Sequence, residues 1–415
     1  MEKQIINLLN YLPNYEEIKH LTKDQIEANY ILSMASENIQ QILKEYQKSS
    51  NADLSTDEIE ENSFLIESLN DKFWEHIHTG IFSEVSLETR KIYTISCYFK
   101  IAYSLISSHD QQQLEKCSEY LDQALLIGYS EEISDKCNLF KNTMMSFLDE
   151  YLDLSQLIKL PYIDPIEHKE IPCDITILES PSVEEFKENH FIPLKPALLR
   201  GTINDWPALT KWRDLSYILK VAGNRTVPIE IGNNYTTDDW SQQLMKIRDF
   251  LQRQFGEKPP DNNDDEEFEV EYLAQHELFN HVPILKEDII CPIFCSLGEE
   301  PDKVDIKAWL GPKGTISPMH QDPKHNILCQ VFGTKRIILA SPDDSEYLYP
   351  HETDFFHNTS QIDADHLDLD EFPLARNAKF YHLTLQEGEC LYLPPKWWHY
   401  IRSESKSFSV SFWWQ

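Results

Sequence analysis

The pattern of the chain changes near residue 160, and no other feature restricts the fold as much. Prolines fall at 161, 165, 172, 181, 193 and 196, each removing a backbone donor and fixing a dihedral that a helix interior does not tolerate. Upstream, Pro and Gly are few and apolar residues recur at helical spacing. Examples are Ile5, Leu8, Leu9 and Leu12; Ile26, Tyr30, Ile31 and Met34; Ile92, Ile95, Phe99, Ala102 and Tyr103; and Phe140, Met144, Phe147 and Leu148. Downstream, short strand-like runs appear at 175–178, 197–201 and 226–232. The expectation is an α+β chain: an all-helical N-terminal domain over 1–160 with about six or seven helices, a proline-rich linker over 161–174, and a β-rich domain over 175–415. Asn51 to Asn62 reads as a polar loop between helices, and Gln254 to Glu271, which contains Asp261 to Glu267, as a charged loop.

The chemistry concentrates between residues 305 and 340. His320 and Asp322 lie two residues apart between Thr315-Ile316-Ser317-Pro318-Met319 and the β-rich run Asn326 to Phe332. On a strand both side chains project from one face. An imidazole and a carboxylate there supply two neighbouring positions for a metal, and a second imidazole from another strand completes a two-histidine, one-carboxylate face with open sites. His399 is the candidate. A His-x-Asp triplet also arises by chance in a chain with 15 His. The second one here, His366-Leu367-Asp368, sits in an acidic run with no apolar strand around it and reads as solvated loop.

Gly333-Thr334 reads as a tight turn folding the chain back into Lys335 to Leu339 as a hairpin. Lys335 then shares a face with Ile337 and Leu339, an expensive place for an ammonium without an anion; the alternative is an amine that snorkels to water. Farther on, Pro394-Pro395 separates two strand-like runs, with Trp397, His399 and Ile401 on one face and Trp398 and Tyr400 on the other. From Ser407 to Trp414 the alternation is unbroken: Phe408, Val410, Phe412 and Trp414 against Ser407, Ser409 and Ser411. That predicts a half-buried strand closing a sheet.

The formal net charge of −33 argues against direct nucleic-acid binding, which needs clustered Lys and Arg. It favours basic partners such as histone or ribosomal protein tails; the simpler alternative is that excess carboxylate serves solubility alone. No apolar run approaches the ~18 residues of a membrane span, and Met-Glu-Lys-Gln opens the chain without a signal core, so no membrane role and an intracellular protein are expected. The eight Cys form no C-x-x-C pair and read as reduced thiols rather than a zinc site or disulfide framework.

Taken in order, T-I-S-P-x-H-x-D around His320, Lys335 in the following segment, G-E-x-L-Y-x-P-x-x-W-W-H ending at His399, and the terminal S-F-S-V-S-F-W-W resemble the JmjC-domain iron(II)- and 2-oxoglutarate-dependent oxygenases. The resemblance runs from about residue 175 to the C-terminus. It implies a cupin-like double-stranded β-helix as the catalytic domain, with Fe(II) held by His320, Asp322 and His399 as the catalytic and metal residues. It implies 2-oxoglutarate as co-substrate, its distal carboxylate on Lys335, Tyr272 and Ser317, with Asn326 on the metal side. Glu230, on sequence alone a strand-edge carboxylate, and Trp240 match residues that contact a substrate arginine, and Gln275 lies near the substrate. His276 also matches but reads as structural.

The activity implied is hydroxylation of carbon 3 of arginine side chains in proteins, converting O2 and 2-oxoglutarate to succinate and CO2. The alternatives are demethylation of histone methyl-lysine, cleavage of histone tails, and a cupin scaffold without catalysis. Protein substrates, basic in character, and nuclear residence follow from the same resemblance, with the cytoplasm as the other compartment. The helical domain reads as a docking element.

Overall fold

The structure is a computed structural model that describes residues 1–22, 25–48, 56–79, 84–108, 110–129, 133–152, 159–232, 240–256, 269–300, 303–352 and 356–415. It forms two compact units, one made of Met1–Leu154 with Asn224–Thr226 and the other built from Ser155–Gly223 and Val227–Gln415.

The first unit contains seven helices among the described residues: α1 (Glu2–Leu9), α2 (Tyr15–Leu21), α3 (Ile26–Lys48), α4 (Thr56–His78), α5 (Leu87–Ser107), α6 (Gln111–Leu126) and α7 (Asp135–Tyr151). Short polar residues start them. Asn14 and Glu17 form a reciprocal capping box on α2, and Ser86, Asp110 and Ser134 cap α5, α6 and α7. The core gathers the periodic apolar residues, and α5, buried almost all round from Ile92 to Leu105, runs through its middle. The loop expected over Asn51 to Asn62 is corrected: residues 51–55 lie outside the described residues, and Thr56 already begins α4. Acidic residues in a first turn complement the helix dipole, so Asp57 and Glu58 mark a helix start where polarity alone suggested a loop.

The second unit holds β1 (Thr176–Glu179), β2 (Ala197–Arg200), β3 (Thr226–Ile231), β4 (Ser241–Lys246), β5 (Glu271–His276), β6 (Asp305–Gly311), β7 (Ile316–Gln321), β8 (His325–Phe332), β9 (Lys335–Ala340), β10 (Phe380–Leu385), β11 (Cys390–Leu393), β12 (Trp398–Ser403) and β13 (Ser407–Trp414). They make a nine-stranded sheet in the order β1-β2-β11-β8-β13-β6-β5-β3-β4 and a four-stranded sheet in the order β10-β9-β12-β7. Leu198, Leu328, Leu391 and Leu393 of the large sheet share one apolar cluster with Ile337, Leu339, Leu383 and Leu385 of the small one. The sheets therefore face each other, as a cupin-like double-stranded β-helix requires. The outer face of the small sheet is covered by the segment carrying Leu348, Ile362 and Ala375.

Two expectations fail here for the same reason. The strands flanking Gly333 do not form a hairpin: β8 pairs with β11 and β13, while β9 pairs with β10 and β12. Gly333 turns a corner from one sheet to the other, at φ +79° and so close to the backbone that a Cβ would lie 2.0 Å from the Lys406 carbonyl oxygen. Nor is β13 half-buried at an edge. It lies between β8 and β6, and Ser407, Ser409 and Ser411 are all buried. The serines face the interior between the sheets, where they are hydrogen-bonded. Ser409 donates to Gln330 Oε1 at 2.7 Å, Gln330 Nε2 donates to Ser407 Oγ at 3.0 Å, and Trp309 Nε1 donates to Ser411 Oγ at 2.8 Å.

The segment expected as a linker lies along the second unit. Ile163 donates to the Arg213 carbonyl at 2.8 Å, His168 meets Glu389 at 3.1 Å, and Lys169 and the Gln386 amide exchange two hydrogen bonds. Of the expected charged loop, Gln254 and Phe255 end a helix and Glu271 opens β5; Asp261 to Glu267 lies outside the described residues. No helix among the described residues is long and apolar enough to cross a membrane.

Candidate functional site

The antiparallel pairing of β7 with β12 sets His320 directly opposite His399. Both imidazoles project into the space between the sheets, their ring centroids 4.1 Å apart. Strand β7 ends at Gln321, so Asp322 is the first residue beyond it, and the Lys396 N–H holds its carbonyl at 2.7 Å. Asp322 Oδ2 lies 3.9 Å from His320 Nε2 and 3.6 Å from His399 Nε2, and one ligand atom from each of the three residues falls within 4.8 Å of the others.

The protonation pattern follows from the neighbours. His320 Nδ1 sits 2.7 Å from the Pro318 carbonyl and His399 Nδ1 sits 3.0 Å from the Trp397 carbonyl. A carbonyl only accepts, so each Nδ1 carries the proton and each Nε2 presents a lone pair. Burial, reinforced by the His320 ring, pushes His399 down to about 4, which keeps that ring neutral. Asp322 Oδ2 is buried without a hydrogen-bond partner among the described residues. Two imidazole Nε2 atoms and an orphaned carboxylate converging on one point fit a divalent cation, and the two-histidine, one-carboxylate set is the one that non-haem Fe(II) oxygenases use. His276 stands apart, paired with His281 through Nε2 and Nδ1 at 3.0 Å, and burial pushes it down to about 3. His366, in the second triplet, is exposed and bonds only Asp363 among the described residues.

Lys335 lines the same cavity as the two histidines. Its side chain is 2% exposed, its ammonium donates to the Tyr272 hydroxyl at 3.1 Å, and burial pushes it down to about 7. No carboxylate pairs with it among the described residues. An amine held this way, walled by Tyr272, Trp309 and Ser317, fits the carboxylate of a small dicarboxylic acid. Tyr272 can approach because β6 ends in Gly311, where a Cβ would come within 2.7 Å of its ring. Asn326, in the same cavity wall as Asp322, has a buried Oδ1 without a partner among the described residues.

The three residues expected at the substrate are not in this cavity wall. Glu230 is the cross-strand neighbour of Tyr272; burial raises its carboxyl above the usual range, and the indole of Trp240 points at it. The Trp240 Nε1 is buried without a well-formed hydrogen bond among the described residues. Gln275 is exposed and adopts φ +50°, within the register shift between Leu273 and His276 where β5 pairs with β6. Sequence reasoning passed over Trp309, Leu328, Ile401, Ser411 and Trp413, all of which line the cavity. The signal for Trp413 was present: it shares a face with Ser407, Ser409 and Ser411, and that face points inward.

The comparisons with known proteins agree with this geometry. A cupin-like domain family matches residues 183–415. The chain is 50% identical over 418 residues to Jumonji C domain-containing protein 5 of Drosophila melanogaster, covering 100% of both chains. It is 38% identical over 360 residues to Lysine-specific demethylase 8 of Danio rerio, covering 83% of this chain and 85% of that one. The protein of the same name in Xenopus tropicalis is 34% identical over 404 residues, with 84% and 88% covered. With the cupin-like match spanning more than half of the chain and these identities behind it, the chain belongs to the JmjC-domain family and is a 2-oxoglutarate-dependent oxygenase.

Proposed function

We propose that the enzyme hydroxylates carbon 3 of arginine side chains in basic proteins, with Fe(II) on His320, Asp322 and His399 and with 2-oxoglutarate as co-substrate. The observation that carries the arginine reading is the Glu230 carboxyl, partly desolvated beside Tyr272, with the Trp240 indole turned toward it. A guanidinium restores the charge of such a carboxylate by bidentate hydrogen bonding, and its planar face stacks on an indole. Methylated ammonium groups are more often held by cages of several aromatic rings.

When bound, Fe(II) with 2-oxoglutarate supplies the oxygen-activating chemistry that turns a C–H bond into an alcohol while 2-oxoglutarate leaves as succinate and CO2. The residues of the chain do the aiming. Lys335 takes the distal carboxylate, and Tyr272 and Ser317 complete its hydrogen bonds. Asn326 orients its amide toward the metal end. His320 and His399 keep their Nδ1 protons on the Pro318 and Trp397 carbonyls, so neither ring turns as the site fills. Trp309, Leu328 and Ile401 exclude water from the space between.

The second reading is demethylation of histone methyl-lysine, favoured by the printed names of the Danio rerio and Xenopus tropicalis relatives, lysine-specific demethylase 8. Mass spectrometry of basic peptides incubated with iron, 2-oxoglutarate and enzyme separates the two. Retention of one oxygen on arginine supports our reading, and loss of methyl groups from lysine with arginine untouched overturns it. Glu230→Gln is expected to raise the KM for an arginine peptide more than ~10-fold, the loss of one charge-assisted contact, and to leave 2-oxoglutarate binding unchanged. Nuclear residence belongs to the same proposal; exclusion of the tagged protein from nuclei overturns that part.

A further inference from the structure

Strand β7, which carries His320 and leads into Asp322, is an edge strand of the small sheet. An edge leaves backbone donors and acceptors in need of partners, and here a strap supplies them. His320 forms an antiparallel bridge with Thr359, the Gln321 N–H donates to the Asn358 carbonyl at 2.9 Å, and the Ser360 N–H donates to the Met319 carbonyl at 2.8 Å. The strap is held on its far side as well. The His351 N–H donates to the Thr359 carbonyl and the Gln361 N–H to the Tyr349 carbonyl, both at 2.9 Å, and the Gln361 side chain donates to the Pro350 carbonyl at 3.2 Å.

At Asn358 the strap does more than cover an edge. The Thr359 N–H closes a turn onto the Phe356 carbonyl at 2.8 Å, so the backbone turns away from β7 at this point. The Asn358 side chain takes over, its Nδ2 donating to the Gln321 carbonyl at 3.1 Å. Gln321 is the one residue between His320 and Asp322; its N–H belongs to the peptide group that follows His320 and its carbonyl to the peptide group that precedes Asp322. Asn358 bonds both. From the β12 side the Lys396 N–H holds the Asp322 carbonyl at 2.7 Å. An aspartate at 358 could not replace the asparagine, because a carboxylate has no hydrogen to donate to a carbonyl.

We propose that Asn358 is a positioning residue for the metal: by fixing both peptide planes between His320 and Asp322, it sets the spacing of the imidazole and the carboxylate. The inference rests on the reading that His320, Asp322 and His399 hold the cation. Asn358 acts through the backbone alone and touches neither the ion nor the substrate. Ligands held in place beforehand lose less freedom when the ion binds, and groups that only orient a ligand commonly carry a share of the affinity.

The test titrates the metal-free full-length protein with Mn(II) and reads the unbound ion from its electron paramagnetic resonance signal. It is run below the lowest melting temperature of the set, so that unfolding does not enter the measurement. Asn358→Ala and Asn358→Asp are expected to weaken Mn(II) binding at least ~10-fold. Gln361→Ala, which removes a side-chain bond from the far side of the same strap, is expected to bind as the parent does. The inference is overturned if the Asn358 variants keep the parent's affinity, or if Gln361→Ala loses as much as Asn358→Ala, which would make general loosening of the strap the cause. Asp322→Ala separates this from failure of the site itself. If the parent binds no Mn(II), or if Asp322→Ala binds it as tightly as the parent, the metal reading falls and takes the inference with it.

Discussion

At the scale of single residues, the site is assembled from groups that are poorly satisfied until it is filled. Asp322 is the clearest case: its Oδ2 is buried without a partner among the described residues, a cost the folded chain bears to have a ligand ready. Asp322→Ala is therefore expected to reduce turnover by more than ~100-fold through loss of a proposed metal ligand, since losing a group that only orients a ligand already costs ~10–100-fold, while the metal-free variant melts no lower than the metal-free parent. Scanning fluorimetry with a chelator, beside an activity assay, checks both, and a large drop in apoprotein stability would count against the strained-carboxylate account.

Lys335 is the complementary case. Burial places its folded-state value at about 7, against an ordinary lysine value of 10.5. The folded-state value is lowered, so the amine takes stability away from the apoprotein below about pH 7. That stability returns as pH rises from about 7 to the unfolded value. Binding an anion reverses the preference. Below pH 7 the affinity for 2-oxoglutarate is expected to be flat. Above it, the affinity should fall by up to ~10-fold per pH unit as a proton must be taken up with the ligand. Calorimetry in buffers of different ionisation enthalpy reads the proton uptake directly. Lys335→Met removes both the pH dependence and most of the binding.

At the scale of elements, β13 shows what a strand does in the middle of a closed structure. Gln330 and Ser409 are both fully buried and satisfy one another. Gln330→Leu leaves the hydroxyls of Ser407 and Ser409 without that partner, and a loss of ~2–4 kcal/mol is expected from the two stranded groups. Urea unfolding checks the magnitude, and a loss under ~0.5 kcal/mol would mean that the serines find other partners. The same strand marks the limit of what the sequence disclosed. Alternation of Phe408, Val410, Phe412 and Trp414 with serines located the strand and its two faces. A period of two does not distinguish water from a polar interior, so the serine face was placed on the wrong side. The corner at Gly333 was hidden for a related reason: a turn residue between two apolar runs looks the same whether the runs pair with each other or with strands far away in the chain.

The clustering of His320, Asp322 and His399 was legible because its signal is local. His320 and Asp322 are two positions apart, and His399 sits on a strand whose faces its neighbours define. The cavity wall was not. Trp309, Leu328 and Ile401 come from strands brought together only by register across both sheets, and no spacing within one strand encodes that.

At the scale of the whole molecule, charge and preorganisation carry the consequences. On the proposed function, a net charge of −33 would draw basic peptides toward the enzyme over distances that salt shortens. Raising ionic strength from about 0.05 to 0.5 M is expected to raise the KM for a basic protein substrate several-fold with little change in kcat. An unchanged KM would mean that the acidity serves solubility alone.

The bonds from the two imidazoles to the carbonyls of Pro318 and Trp397 have a further effect. Because each ring is already turned, the chelating claw exists before any ion arrives, and it cannot choose among visitors by shape. Copper, nickel, cobalt and zinc all rank above ferrous iron for such nitrogen and oxygen donors. Loading with the right element is then a matter of which one the surroundings keep plentiful and which they keep scarce, and the enzyme is open to poisoning by its own readiness.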